Sequence, residues 1–249
     1  MAGYEQTALV LPEMRREQAE TGLAAVVDLL VEHYRISPDL KDCVAHLEFD
    51  SSNEWTRTLP IDHGGKSIEE LIADYRWVRI SGDIPINRKM HGFEMYFYPV
   101  STTGDRVGLL LRLEASAYLA VYGERPSYYG LFDEEARDGL ISLCLGVTDA
   151  YGGDGFVYDY DSGKLTRLTV EDLTQRLLHP ILDTVGKRPG LITGIRKSMI
   201  AKSDLELIWG PENIKETTTG YVCLALMRPD KQPSAWAVGK LGSEDQGGS

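Results

Sequence analysis

The stretch that decides the fold is residues 93–114, which read FEMYFYPVSTTGDRVGLLLRLE. In residues 93–98 and 107–114, one set of alternate positions is wholly apolar, and the other set mixes polar and apolar residues. A period of two predicts strands that bury one face. Residues 101–105, STTGD, have the composition of a turn, so the two strands are predicted to form an antiparallel hairpin.

Outside this hairpin, helical and strand patterns alternate along the chain. Apolar residues at helical spacing predict helices over residues 14–34, 133–150 and 169–185, and Ser67 with Glu70 forms a capping box for a short one. Strands are predicted at 43–49, at 205–209 and at 221–227, with a second hairpin over 155–168 that turns at 161–163. Mixed helices and hairpins favour the α+β class.

The stretch 123–130, GERPSYYG, has the composition of a loop and is the predicted boundary between two parts of the chain. We therefore expect two helix-plus-antiparallel-sheet units packed together, an N-terminal unit over 1–125 and a C-terminal unit over 126–241. Residues 242–249, GSEDQGGS, are expected to be a disordered tail.

The composition of the chain is that of a soluble globular protein, with 43% hydrophobic and 26% charged residues in 249. No apolar run approaches the ~20 residues of a membrane span, and the N-terminus lacks the pattern of a secretory signal. The three cysteines, Cys43, Cys144 and Cys223, lie in apolar stretches without a paired spacing. These features predict free, buried thiols in a cytoplasmic protein that does not bind a membrane.

The charge of the chain is concentrated in residues 133–172. Ten carboxylates and three basic groups there leave −7 of a total net charge of −12. Such a segment repels nucleic acid and attracts a basic protein partner. The alternative is an ordinary solvated acidic face, with the basic stretch 187–202 facing either the acidic segment or solvent.

Sequence motifs for a reaction or a cofactor are incomplete. Gly64-Gly65-Lys66-Ser67 lacks the first glycine of a phosphate-binding loop, and the segment that begins at Asp159 lacks the glycine and glutamate of a calcium loop. The five histidines do not have metal-ligand spacing. We therefore predict no cofactor, no metal and no catalytic residue, and the sequence leaves open whether the chain is an enzyme.

The residues predicted to bind a partner are the carboxylates of the acidic helix and of the following hairpin, together with two tyrosines of the boundary loop. They are Asp133, Glu134, Glu135, Asp138, Asp159, Asp161, Tyr128 and Tyr129. Tyrosines can anchor an interface, but these two can equally close one half of the chain over the other. The sequence does not indicate an oligomeric state.

The acidic helix at 133–150, the aromatic residues of 156–160 and Ile208-Trp209-Gly210 before the last strand resemble the immunity proteins of bacterial toxin systems. The resemblance covers mainly residues 130–227. It implies a non-catalytic protein that neutralises a basic toxin by covering its active site. The alternative is an enzyme or small-molecule sensor with a pocket between the halves, using His63, His91, Glu94 or the tyrosines.

Overall fold

The computed structural model describes residues 6–34, 44–52, 54–61, 64–86, 89–114, 134–160, 167–179 and 189–225. In this part of the chain, one eleven-stranded antiparallel sheet dominates the architecture, and helices pack on both of its faces. The class is therefore α+β, as the sequence predicts.

The strands are β1 (Gln6–Val10), β2 (Met14–Arg15), β3 (Val44–Phe49), β4 (Trp55–Pro60), β5 (Val78–Ile86), β6 (Lys89–Pro99), β7 (Arg106–Glu114), β8 (Gly155–Tyr160), β9 (Ile192–Arg196), β10 (Ile214–Glu216) and β11 (Tyr221–Ala225). Their order across the sheet is β10-β11-β9-β8-β1-β7-β6-β5-β3-β4, with the short β2 paired to β7. The helices are α1 (Arg16–Tyr34), α2 (Ile68–Asp74), α3 (Glu134–Tyr151), α4 (Val170–Leu178) and α5 (Lys202–Trp209).

The predicted hairpin at residues 93–114 is confirmed as β6 and β7. Its register pairs Phe93 with Leu113 and Phe97 with Leu109, so the apolar positions of both strands share one face. Helices α1 and α3 cover that face, which we call the inner face. Leu30 of α1, Leu111 of β7 and Leu143 of α3 are buried in the core between the helices and the sheet. The predicted burial of these three leucines is confirmed.

The other face, which we call the outer face, is covered by α4 and α5 at one end of the sheet. Leu177 and Leu224 are buried there as predicted, in a cluster that includes Trp209. The capping box predicted at Ser67 is present, and Thr169, which begins the predicted helix at 169–185, forms a second one with Asp172. Helix α4 ends at Leu178, and the rest of the helix predicted over 169–185 lies outside the described residues.

Close contact between α1 and α3 depends on one glycine. A Cβ atom on Gly22 would collide with the backbone carbonyl of Tyr151, so a larger residue would force the two helices apart. The sequence pattern predicts both helices, but it does not predict that they cross at this point. Their crossing closes the inner core over the centre of the sheet.

The strand predicted at 205–209 is wrong, because this segment is helix α5. Leu205, Ile208 and Trp209 are buried at helical spacing, whereas Leu207, which the strand pattern placed beside Leu205 and Trp209, is 47% exposed. The apolar residues at 205, 208 and 209 also have the i, i+3, i+4 spacing of a helix that buries one face, and packing on the outer face decides between the two patterns.

The hairpin predicted over 155–168 is wrong in its second strand. Residue Tyr158 of β8 pairs with Leu9 of β1 on one side and with Ile192 of β9 on the other, so both edges are taken there. Arg167 and Leu168 are not in a strand, and the turn at 161–163 lies outside the described residues.

The packing of two separate units is not confirmed. Strand β1 lies between β7 and β8 and pairs with both, so the parts before and after residues 123–130 contribute to the same sheet. The predicted boundary itself and the tail 242–249 lie outside the described residues. None of the helices in the described part of the chain is long and apolar enough to cross a membrane.

Candidate functional site

Only some of the predicted partner-binding residues can be placed. Asp138 lies near the start of α3 with an exposed side chain, and Asp159 lies on β8 and is half-buried. Glu134 and Glu135 belong to α3, but their side chains are outside the described part. Asp133, Asp161, Tyr128 and Tyr129 also fall outside it.

The two carboxylates that can be compared do not lie on one surface. Helix α3 packs on the inner face of the sheet, where Tyr158 is buried. Asp159 follows Tyr158 in the same strand and points to the outer face, because side chains alternate along a strand. Asp138 and Asp159 are therefore on opposite sides of the sheet, and the predicted single acidic surface does not include both.

A groove lies along the solvent side of α3, between this helix and the turn that joins β10 to β11. It encloses about 590 Å³. The apolar part of its lining comes from α3 and from Leu29 of α1, and the polar part from both walls. The lining residues are Leu29, Asp138, Ile141, Ser142, Leu145, Gly146, Asp149, Ala150, Lys215, Glu216, Thr217, Thr218 and Thr219.

The α3 wall of the groove is acidic, because Asp138 and Asp149 line it, and Lys215 lines the opposite wall. Lys215 donates a hydrogen bond across the groove to Asp138, and both side chains are nearly half exposed, at 45% and 49%. Glu216 accepts a hydrogen bond from Lys197, which lowers the pKa of the Glu216 carboxyl. Exposed pairs of this kind contribute little to stability.

Part of the acidic segment is neutralised from within the chain. Arg196 at the end of β9 lies 3.3 Å from Asp154 and 3.9 Å from Asp149. The prediction that the basic stretch faces the acidic segment or solvent is thus confirmed for Arg196. Asp172 completes the capping box of α4 and accepts hydrogen bonds from the backbone N–H and the hydroxyl of Thr169. Burial opposes the ionised form of the Asp172 carboxyl, but these hydrogen bonds lower its pKa. Of the α3 carboxylates whose side chains are described, Asp138 and Asp149 both line the groove.

A second charged group, which we call the Glu94 cluster, lies on the outer face of β5, β6 and β7. The carboxylate of Glu94 lies 3.1 Å from Arg79 Nη1 and 3.2 Å from Arg112 Nη1, and Tyr96 donates to it at 2.7 Å. Arg112 also stacks over the Tyr96 ring at 4.8 Å. Burial and the Glu94 hydrogen bond raise the pKa of Tyr96 to about 12.

The Glu94 cluster is not predicted from the sequence. Glu94 and Arg112 lie on the two predicted strands β6 and β7, and the register of the hairpin places them opposite each other. Aligning the two strands about the 101–105 turn would have paired them. The missing partner is Arg79, because β5 was not predicted.

His91 and Glu94, named for the enzyme alternative, do not converge. His91 is buried on the inner face, and Glu94 points to the outer face. His63 lies outside the described residues. Among the residues that are described, no group of three or more histidines, cysteines or carboxylates is arranged to hold a metal ion.

A second cavity, of about 480 Å³, lies where the start of α1 meets the end of α3. Its most buried charge is Glu13, with a side chain only 4% exposed, which is bound by Arg106 at 2.9 Å and by Arg167 at 2.7 Å. Both carboxylate oxygens of Glu13 are occupied by these guanidinium groups. This arrangement ties β7 to the segment before α4 and leaves Glu13 without an obvious role toward a ligand.

Some residues behind the resemblance to immunity proteins are core residues. Phe156 and Tyr158 are buried on the inner face, and Trp209 donates its indole N–H to the carbonyl of Leu177 at 2.8 Å. The feature that remains exposed is helix α3 with its groove. Comparisons of this chain with protein-family models, curated proteins and solved structures found no match.

Proposed function

We propose that this chain is a non-catalytic, cytoplasmic binding protein that neutralises or regulates a basic protein partner, in the manner of an immunity protein. The observation that supports this most is the groove beside α3. It combines apolar lining residues with the carboxylates of Asp138 and Asp149, opposite Lys215, on a chain of net charge −12. Apolar area supplies affinity, while the acidic rim attracts a basic surface and repels nucleic acid.

The location of the charge supports binding better than catalysis. The side chains of Asp138 and Asp149 in the groove are about half exposed, at 49% and 55%, so a lysine or arginine of a partner can reach them. By contrast, the buried carboxylate of Glu13 is held by two guanidinium groups, those of Arg106 and Arg167. An enzyme or small-molecule sensor remains the alternative, and the second cavity is where a small molecule would be sought.

The test compares two variants that change the total charge equally. Asp138→Lys with Asp149→Lys reverses the groove, whereas Asp83→Lys with Glu171→Lys reverses two exposed carboxylates elsewhere. Each variant and the unaltered protein are used to capture partners from lysate of the native host. We expect a basic protein to be captured by the unaltered chain and by the control, and at least about tenfold less by the groove variant.

Equal capture by both variants would show that the groove charges are only a solvated face. Tight binding of the unaltered protein to DNA or RNA would also contradict the proposal, because an acidic surface repels phosphates. Raised salt should slow the association, since exposed charges are screened beyond ~8–10 Å at 0.1–0.15 M ionic strength.

A further inference from the structure

The groove has a wall that is also the edge of the sheet. Strand β10 stands at the end of the strand order and pairs only with β11 among the described strands. Lys215 and Glu216 of β10 are exposed. An exposed edge strand presents backbone N–H and C=O groups that can pair with a strand from another chain.

The register shows which backbone groups are available. Thr217 donates its N–H to the carbonyl of Tyr221 at 2.9 Å, and Lys215 stands opposite Cys223. In an antiparallel pair, residues alternate between those that exchange hydrogen bonds with the partner strand and those that point away. The backbone N–H of Thr217 points toward β11, and by the alternation the backbone groups of Lys215 do so too. The backbone N–H and C=O of Glu216, which lies between them, therefore point toward the open edge.

Resting on the proposed function, we propose that the groove takes an extended, basic segment of the partner protein, which adds to β10 as one more strand. Alternate side chains of such a strand point to the inner side of the sheet, where Asp138 and Asp149 line the groove. Lysine or arginine at these positions complements the carboxylates. The opposite positions accept apolar residues.

Lys215 occupies the place that the partner's cation takes. Lysine on an edge strand commonly hinders unwanted strand pairing, and here its ammonium is bound to Asp138 across the groove. Because both side chains of this pair are nearly half exposed, the exchange of one ammonium for another changes few contacts. A basic strand therefore displaces Lys215 from Asp138 as it binds.

The test uses a fluorescent octapeptide of alternating lysine and valine, with its binding followed by anisotropy. Two variants of one residue are compared, Glu216→Pro and Glu216→Gln. Both lose the carboxylate that pairs with Lys197, but only proline loses the N–H that faces the open edge. We expect the proline variant to bind the peptide at least tenfold more weakly than the glutamine variant.

A second measurement needs no variant of the protein. Methylation of alternate peptide nitrogens keeps the charge of the octapeptide and removes its ability to pair as a strand, and binding should weaken at least tenfold. A third measurement does use a variant: Lys215→Thr removes the ammonium that binds Asp138 across the groove, and it should bind the unmethylated peptide two- to fivefold more tightly. Equal affinity for the two peptides, or for the two Glu216 variants, overturns strand addition.

The outcomes separate this inference from the proposed function. If both peptides bind equally and Asp138→Lys with Asp149→Lys abolishes binding, the acidic groove stands and strand addition is wrong. If that groove variant binds the peptide as well as the unaltered protein, the proposed function is wrong too.

Sedimentation experiments test a second copy of the chain as the occupant. A dimer of the unaltered protein that is absent in Glu216→Pro would show that a second copy pairs with β10 and would overturn the proposal of a partner's strand.

Discussion

The groove and the Glu94 cluster contain the same kinds of charged groups in different surroundings. At Glu94, one carboxylate is shared by two guanidinium groups and a tyrosine hydroxyl, and the side chain of Arg112 is only 8% exposed. In the groove, the Asp138 carboxylate accepts a hydrogen bond from Lys215, and both side chains are nearly half exposed. The comparison indicates that burial separates a charge that holds the fold from one that a partner protein can reach.

Helix α3 provides the largest contrast between the two kinds of position. Leu143 is buried in the inner core, while Leu145 lines the groove and is only partly buried. Leu143→Ala should lower the free energy of unfolding by ~2–5 kcal/mol, because it leaves a cavity. Leu145→Ala should cost less, as measured by chemical denaturation. An equal loss at both positions would show that the groove floor is part of the core.

The two carboxylates give the next contrast. Glu94→Ala should cost ~1.5–3 kcal/mol, since it removes charged hydrogen bonds from Arg79, Tyr96 and the buried Arg112. Asp138→Ala should change the free energy of unfolding by no more than ~0.5 kcal/mol. Denaturant titrations of the two variants check this. If Asp138→Ala proved the more damaging, our division between structural and available charges would be wrong.

The smallest contrast concerns reactivity rather than stability. Burial raises the pKa of the Cys223 thiol to about 12 and that of Cys144 well above its usual value. Both thiols therefore stay protonated in mildly alkaline solution and should react slowly with a thiol reagent. Cysteine placed at the exposed Ser142, as Ser142→Cys, should react fast. Rapid labelling of Cys144 in the folded, unaltered protein would contradict its burial on the inner side of α3.

Much of the fold could be predicted from periodicity, and the reasons for the failures are local. The β6–β7 hairpin, α1 and α3 have apolar patterns long enough to distinguish the period of a strand from that of a helix. Gly82 and Pro85 in β5 and Gly194 in β9 interrupt the alternating pattern, so the sequence does not predict these two strands. Helix α5 was assigned as a strand because five residues are too few to separate the two periods.

The candidate site was only partly predictable for a different reason. The acidic character of α3 is visible in the sequence, and Asp138 was named from it. The opposite wall of the groove comes from residues 215–219, which follow Asp138 by more than seventy positions. Their approach depends on the order of strands across the sheet, and charge patterns along the chain carry no information about that order.

The most direct measurement of the central claim maps where a basic ligand binds. The lysine–valine octapeptide is titrated into isotope-labelled protein while the backbone amide resonances are followed by NMR. We predict that the largest shifts fall in residues 138–150 and 214–219, the two walls of the groove. Shifts centred on the Glu94 cluster, or spread evenly over the exposed carboxylates of the chain, would contradict the claim that the groove is the binding site.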